Sequence, residues 1–477
     1  MSKSSVFDTQ TADNFRNQLG NTGDKGNRRW IYPKIIKGKF YKYRTYLSYF
    51  LLAFLVAAPF IRINGRPMML FNILERKFIV FSVPFWPQDF ILFGLAMLTL
   101  IVFIVLFTAV YGRVFCGWIC PQTIFLEMVF RKIENLIEGN ANQQRKLDEQ
   151  PWNNEKILKK GTKHLIFFIL SFFISNIFLA YIIGSDELFK IIIDNPANHI
   201  GGLVTILIFT AVFYLVFSKL REFVCIWACP YGRLQGVLLD KDSIVVAYDD
   251  VRGEPRGKLR KGDTTPKGDC VDCGLCVDVC PTGIDIRNGT QLECVNCTAC
   301  IDACDGVMDK INKPHGLIRY ASLEGIKSGK NFNYNTRMKA YTALLVVLAG
   351  VFIFLLATRD SIEATVLRAP GKMFQENATT VTNLYNFELV NKTFHGVPVK
   401  LSLENLDGAK ITLVGTTNGA INVEREEIYK GTFFIELPKD KITKNKNVVY
   451  VKVMADGKEI DKIKTSFLAP VKTEQAQ

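Results

Sequence analysis

Histidine is scarce. The 477 residues hold four, His164, His199, His315 and His395. The first two flank one apolar run on opposite sides, so no pair of intramembrane imidazoles exists to ligate a b-type haem, and a haem quinol site of the usual kind finds no support. Nucleotide-binding loops are missing too. No G-x-G-x-x-G follows a strand pattern and no Walker loop occurs, so no nucleotide or flavin domain is visible. Any electrons must then come from another protein or a quinol. No short apolar stretch with a cleavage site stands at the start, and no signal peptide is expected. Acidic residues are outnumbered, 45 against 59 Lys and Arg, for a net charge of +14. That excess is gathered in particular loops, which argues for membrane orientation and against nucleic acid. Odd cysteines are also lacking: twelve fall into a set of eight and two pairs.

The set of eight lies in Cys270–Cys304. It reads C-V-D-C-G-L-C-V-D-V-C-P and, after a spacer, C-V-N-C-T-A-C-I-D-A-C. Each half is C-x2-C-x2-C-x3-C, the spacing of a bacterial two-cluster ferredoxin, in which the fourth thiolate of each run serves the other cluster. Cys270, Cys273, Cys276 and Cys304 are therefore expected to hold one 4Fe-4S cluster. Cys294, Cys297, Cys300 and Cys280 are expected to hold the other. Cys280 precedes Pro281, as the pattern requires, whereas Cys304 precedes Asp305. Paired C-x2-C runs also build zinc ribbons, but zinc does not call for the x3 step before a proline. So short a module buries little apolar surface, and two clusters would form its core. Clusters need reduced thiolates, which excludes a disulfide framework.

Five apolar runs are long enough to span a bilayer, for which about 20 residues suffice: 45–61, 90–111, 165–184, 200–218 and 340–358. Lys and Arg number ten before the first run and nine after the second, but four and one after the first and third. Cytoplasmic loops carry the excess, so the ferredoxin insert is expected in the cytoplasm and the C-terminal segment outside. That last segment has short alternating runs separated by turn residues, including Asp456-Gly457 between two strand-like stretches, which points to an immunoglobulin-like β-sandwich. The expected fold is a multidomain membrane protein: a five-helix transmembrane bundle, a cytoplasmic two-cluster ferredoxin insert and a C-terminal immunoglobulin-like sandwich. Its divisions are a flexible basic segment at 1–44, four helices as a tandem repeat at 45–240, a cytoplasmic segment at 241–337 with the ferredoxin at 265–310, a fifth helix at 338–358 and the sandwich at 359–477. The N-x-T triplets at Asn377 and Asn391 would be glycan acceptors only in a secreted eukaryotic protein, and a bacterial chain is expected here.

The two remaining pairs repeat one motif. Cys116-Gly117-Trp118-Ile119-Cys120-Pro121 follows the second run, and Cys225-Ile226-Trp227-Ala228-Cys229-Pro230 follows the fourth. Both read C-x-W-x-C-P after basic residues, so the two helix pairs form a parallel repeat about an axis along the membrane normal. On a helix, residues i and i+4 share a face, and two such pairs related by pseudo-symmetry would present four sulfurs to one centre. Thiolates are soft ligands that select Cu(I), zinc or iron–sulfur clusters. The following stretch, 122–139, is amphipathic and is expected along the membrane surface.

Together with Trp86-Pro87-Gln88-Asp89-Phe90, the run Gly316–Ser322 and the outer sandwich, these motifs resemble the cytochrome c oxidase accessory proteins, the CcoG, FixG or RdxA family, over nearly the whole chain from about Tyr32. The resemblance implies a polyferredoxin-type protein of the bacterial inner membrane that reduces Cu(II) to Cu(I), with copper a transient substrate at Cys116, Cys120, Cys225 and Cys229, during assembly of cbb3-type oxidase. The expected partners are a cytoplasmic electron donor, oxidase subunits or copper chaperones, and membrane lipid, with a homodimer left open. Two alternatives stand beside this reading: a quinol-linked subunit feeding a periplasmic reductase, and a non-catalytic assembly scaffold.

Overall fold

The computed structural model describes residues 30–470 except 64, 74–76, 82, 86–88, 259–265, 330–334, 360–361, 372, 394, 416–419, 425–426, 443 and 456–457. The expected segment 1–29, the stretch 86–88 and the Asp456-Gly457 turn lie outside the described residues. The chain divides into two compact units, with the boundary at Phe352/Ile353.

In the first unit, four helices among the described residues are long and apolar enough to cross a membrane: Phe90–Tyr111, Asn154–Ile183, Pro196–Leu220 and Thr336–Ala357. They mark a membrane protein, and most of their apolar side chains face outward, as lipid-facing surface does. The first expected span is a helix as well, but it runs Lys39–Ala57. Its start carries Lys39, Lys42 and Arg44, which leaves a short apolar part. The early start has a physical cause. Asp302, on the helix Ala299–Lys310 of the cysteine-rich segment, accepts from the backbone N–H groups of Phe40 and Tyr41 at 3.1 and 2.7 Å. A carboxylate at a helix N-terminus satisfies free donors and complements the helix dipole.

The stretch after Pro121 is more enclosed than its amphipathic pattern alone implies. It is helical from Pro121 to Glu138, with a π-helical segment at Phe125–Phe130. Its apolar side packs Phe125 and Phe130 against Phe217 and Phe167, with Phe130 stacked on Phe217 at 4.5 Å. Three charged residues of the other side are withdrawn from water. Arg131, Glu134 and Glu138 are buried and paired: Arg221 donates to both Glu134 oxygens at 2.6 and 2.7 Å, Lys163 lies 2.7 Å from Glu138, and Arg131 lies 3.2 Å from Glu222. Charges removed from water persist only when paired in this way.

The second unit is a two-sheet sandwich. One sheet runs Lys410–Leu413, Ile428–Pro438, Thr380–Asn391, Ile362–Arg368, and the other runs Ala420–Val423, Val397–Glu404, Lys446–Ala455, Lys458–Leu468. The short strand Gln375–Glu376 pairs with Thr380–Asn391. Alternate residues point inward, and Tyr385, Phe433, Val449, Val451 and Phe467 are fully buried. Tyr385 stacks on Phe433 at 5.3 Å and donates its hydroxyl to the carbonyl of Ser466 at 3.0 Å. Asn391 is fully buried and donates to the carbonyls of His395, Val423 and Glu424. That role accounts for this N-x-T triplet without a glycan.

Candidate iron–sulfur and thiol site

The eight cysteines of the insert line two cavities. Cys270, Cys273, Cys276 and Cys304 surround one. Cys280, Cys294, Cys297 and Cys300 surround the other, with Cys276 also on its wall. Local backbone explains how each run wraps inward. Asp272 and Gly274 have φ of 52° and 70°, and Asn296 and Thr298, at the equivalent places of the second run, have 53° and 66°. Left-handed residues on either side of the middle cysteine turn the chain around a concavity, where backbone N–H groups favour an anion. Thr298 is β-branched and pays for that conformation in strain; its Oγ1 donates to the Cys297 carbonyl at 2.6 Å.

Burial pushes the thiols of Cys276, Cys294 and Cys304 up to about 12 and that of Cys297 to about 11, with neighbouring cysteines adding to the rise. Cationic groups work the other way: Arg287 on Cys276, Arg113 on Cys294 and Arg44 on Cys297. Two enclosed sets of four thiols with guanidinium groups beside them fit an anionic four-iron cluster in each cavity. When bound, such clusters supply one-electron storage.

The two C-x-W-x-C-P turns share a backbone in which the i,i+4 helix is interrupted and the proline starts a new one. In each, the second cysteine's N–H reaches back five residues, Cys120 to Phe115 at 2.9 Å and Cys229 to Val224 at 2.8 Å. Cys120 and Cys229 then leave the helix, with ψ of 123° and 110°, and cap the next one. The cause is the following proline, which drives its predecessor out of the helical region and starts a new helix at its first position. Gly112 and Arg221, four residues before the first cysteine, match as well, at φ 57°, ψ −136° and φ 49°, ψ −123°. Cys116, Cys120 and Cys229 lie close enough to Cys225 for their charge to add to the effect of burial, which together push its thiol up to about 12. Among the described residues, no three His, Cys, Asp or Glu side chains close on a single metal ion. Gln235 accepts from Arg113 Nε at 2.7 Å and from the Cys116 thiol at 3.3 Å.

The insert rests on the first of these turns. A Cβ on Gly117 would stand 2.4 Å from the Val295 carbonyl oxygen, so only glycine lets the loop between Cys294 and Cys297 lie against the turn of Cys116. Trp118 Nε1 donates to the Asn296 carbonyl at 3.3 Å, and the Tyr320 hydroxyl donates there at 3.1 Å. Arg44 Nε donates to the Gly117 carbonyl at 2.7 Å, Arg131 to that of Pro281 at 3.3 Å, and Arg113 to that of Leu292. These arginines, with Asp302 and Asn296, escaped sequence reasoning because each partner is more than 100 residues away or is a backbone group. Their one local signal is basic residues recurring just before each motif.

The family model for a 4Fe-4S dicluster domain matches residues 220–323, and one for a 4Fe-4S binding domain matches 93–139, a range containing Cys116 and Cys120. The model for an IG-like fold at the C-terminal of FixG matches 352–470. Over 461 residues the chain is 32% identical to the nitrogen fixation protein FixG of Rhizobium meliloti, covering 86% of this chain and 87% of that one. It is 33% identical to protein RdxB of Cereibacter sphaeroides over 84% of this chain and 87% of that one, and 32% identical to RdxA of the same organism over 81% and 84%.

Proposed function

This chain belongs to the FixG/RdxA family, and from that premise we propose that it is a membrane-bound iron–sulfur electron-transfer protein that reduces Cu(II) to Cu(I) for assembly of a cbb3-type cytochrome c oxidase. The observation that carries the reading is the seat of the Cys294–Cys297 loop on the Cys116 turn through Gly117 and Trp118. It sets one of the two thiol-lined cavities directly against the repeated motif. Cys116, Cys120, Cys225 and Cys229 receive copper as substrate. Soft sulfur favours Cu(I) over Cu(II), which prefers nitrogen and tetragonal geometry, so the thiols make one-electron reduction of the bound ion more favourable. Arg113 and Gln235 hold the Cys116 side in place. The Lys and Arg distribution supports five spans, with the ferredoxin segment in the cytoplasm and the sandwich in the periplasm. Reporter fusions after Lys310 and near Glu404 should score on opposite sides.

The test is the variant in which Cys116, Cys120, Cys225 and Cys229 are all alanine. Purified without oxygen, it should keep about eight irons per chain, as two four-iron clusters require, and lose copper binding and Cu(II) reduction. Undiminished copper reduction would overturn the assignment. The 4Fe-4S binding-domain match at 93–139 favours one second reading, a further cluster on these cysteines, and loss of iron from the same variant would select it.

A further inference from the structure

The two repeats differ in what lies over their tryptophans. Trp118 is partly buried and hydrogen-bonded to the insert. Trp227 stands at the equivalent place, is 55% exposed, and faces a cavity of about 570 Å³. Arg233 lies over its ring at 5.8 Å. Cys225 forms part of the cavity wall, with Arg113, Leu292 and Thr290. Thr290 Oγ1 is buried and has no hydrogen-bond partner among the described residues.

We propose that this cavity binds the head ring of a membrane quinol, which donates the electrons for copper reduction. Four observations favour that occupant. The volume falls within the roughly 300–1,000 Å³ of ordinary small-molecule sites. An aromatic face with a few polar groups suits a flat ring carrying two oxygens: Trp227 stacks on it, while Thr290 and Arg233 offer donors. The site lies beyond the end of the apolar helix Pro196–Leu220, and its wall includes the exposed apolar side chain Leu292, as entry from lipid requires. Finally, the sequence contains no visible nucleotide or flavin domain. The proposal rests on the copper-reductase reading for its electron acceptor. One quinol and two Cu(II) give one quinone, two Cu(I) and two protons. Both O–H bonds break, each copper gains one electron, and the two protons pass to solvent.

Quinones quench tryptophan fluorescence, which gives a binding signal independent of turnover. Full-length protein in lipid nanodiscs, titrated with decyl-ubiquinone, should show a saturable quench that Trp227→Phe removes. Thr290→Val and Arg233→Ala should each raise the half-saturation concentration at least tenfold. An unchanged saturable quench in Trp227→Phe, or equal competition by a ring-free amphiphile such as decyl maltoside, would overturn the assignment. Decyl-ubiquinol supplied with Cu(II) should be oxidised at one quinol per two coppers, and Trp227→Ala should slow this at least tenfold. Cu(II) reduction by dithionite-treated wild-type protein tests the reductase reading separately. If that fails while the quench persists, the copper reading falls and the cavity stands. If that succeeds while the quench is absent, the cavity assignment falls alone.

Discussion

Gly112 and Arg221 hold nearly the same left-handed backbone four residues before the first cysteine of their repeats. One is a glycine whose Cβ would stand 2.9 Å from the Ile244 carbonyl. The other is a buried arginine stacked 4.5 Å from the Trp30 ring and bound through both Glu134 oxygens. The first repeat meets this backbone requirement with glycine. The second meets it with an arginine held by outside partners, since a non-glycine residue in that region costs about 1–3 kcal/mol unless its surroundings fix it. The same asymmetry extends to the tryptophans, one clamped by the insert and one facing a cavity. A shared motif therefore sets a shared turn, while distant residues decide which copy's tryptophan is bonded to the insert and which faces a cavity.

The largest effect should come from breaking the arginine's hold. Arg221→Ala leaves the Glu134 carboxylate buried with fewer partners, and losing one member of a buried pair costs about 3–5 kcal/mol. Thermal unfolding followed by tryptophan fluorescence should register it. Gly112→Ala, at the equivalent place, should cost about 1–3 kcal/mol from backbone strain and contact. Equal losses at the two sites would show that the repeats are anchored alike. The ion pair also has a pH signature. Burial alone would raise the Glu134 pKa, but Arg221, Lys163 and Arg131 hold it below the ordinary value. A depressed carboxylate contributes fully above the unfolded value of about 4.3 and loses that contribution as pH falls through the folded value. The gap between wild type and Arg221→Ala should accordingly be widest near pH 7 and shrink as the medium is made more acid than about pH 4. A gap constant down to pH 3 would place the cost in the lost packing of the guanidinium on Trp30.

Next in size is the seat of the insert. Gly117→Ala puts a methyl against the Val295 carbonyl, and overpacking of this kind costs about 1–3 kcal/mol. Ile226 occupies the matching place in the second repeat, so Ile226→Ala should leave the insert docked. Limited proteolysis of the insert separates the two: Gly117→Ala should speed cleavage, and Ile226→Ala should not. Asp302→Ala probes the same docking from the other side. It removes the cap on the helix Lys39–Ala57, worth about 1 kcal/mol, and should release residues 30–38 to hydrogen exchange.

What could be read in advance divides along the same line. The ferredoxin spacing, the apolar helices and the alternating strands are local patterns, each carried by residues within a few positions of one another. The buried charges were not legible. Arg131, Glu134 and Glu138 sit at helical spacing with an apolar face opposite, and on sequence alone that pattern is a solvated or lipid-surface helix. Only the fold brings Arg221 and Lys163 onto them. The cysteine turns were legible in part. The i,i+4 spacing suggests one helix face for Cys116 and Cys120, whereas Pro121 favours a bend or a new helix start, and a new helix does begin there. The first helix began early because its N-terminal cap comes from Asp302, 262 residues away from Phe40.

The smallest expected effect is the one most specific to the asymmetry. Trp118→Phe keeps the aromatic surface and removes only the indole N–H, which donates to the Tyr320 hydroxyl at 3.1 Å and to the Asn296 carbonyl at 3.3 Å. A hydrogen bond of this kind contributes about 0.5–1.5 kcal/mol, so the variant should unfold slightly more easily. Because Asn296 lies between Cys294 and Cys297, its iron–sulfur absorption should also decay faster in air. Trp227→Phe removes the same atom from the other repeat. There the indole faces a cavity and makes no hydrogen bond to the insert among the described residues, so stability and the rate of cluster loss should match wild type. Two identical substitutions at equivalent places of a repeat thus form an internal control. If Trp227→Phe destabilised the clusters as much as Trp118→Phe, the insert would depend on both tryptophans alike and the asymmetry between the repeats would fall.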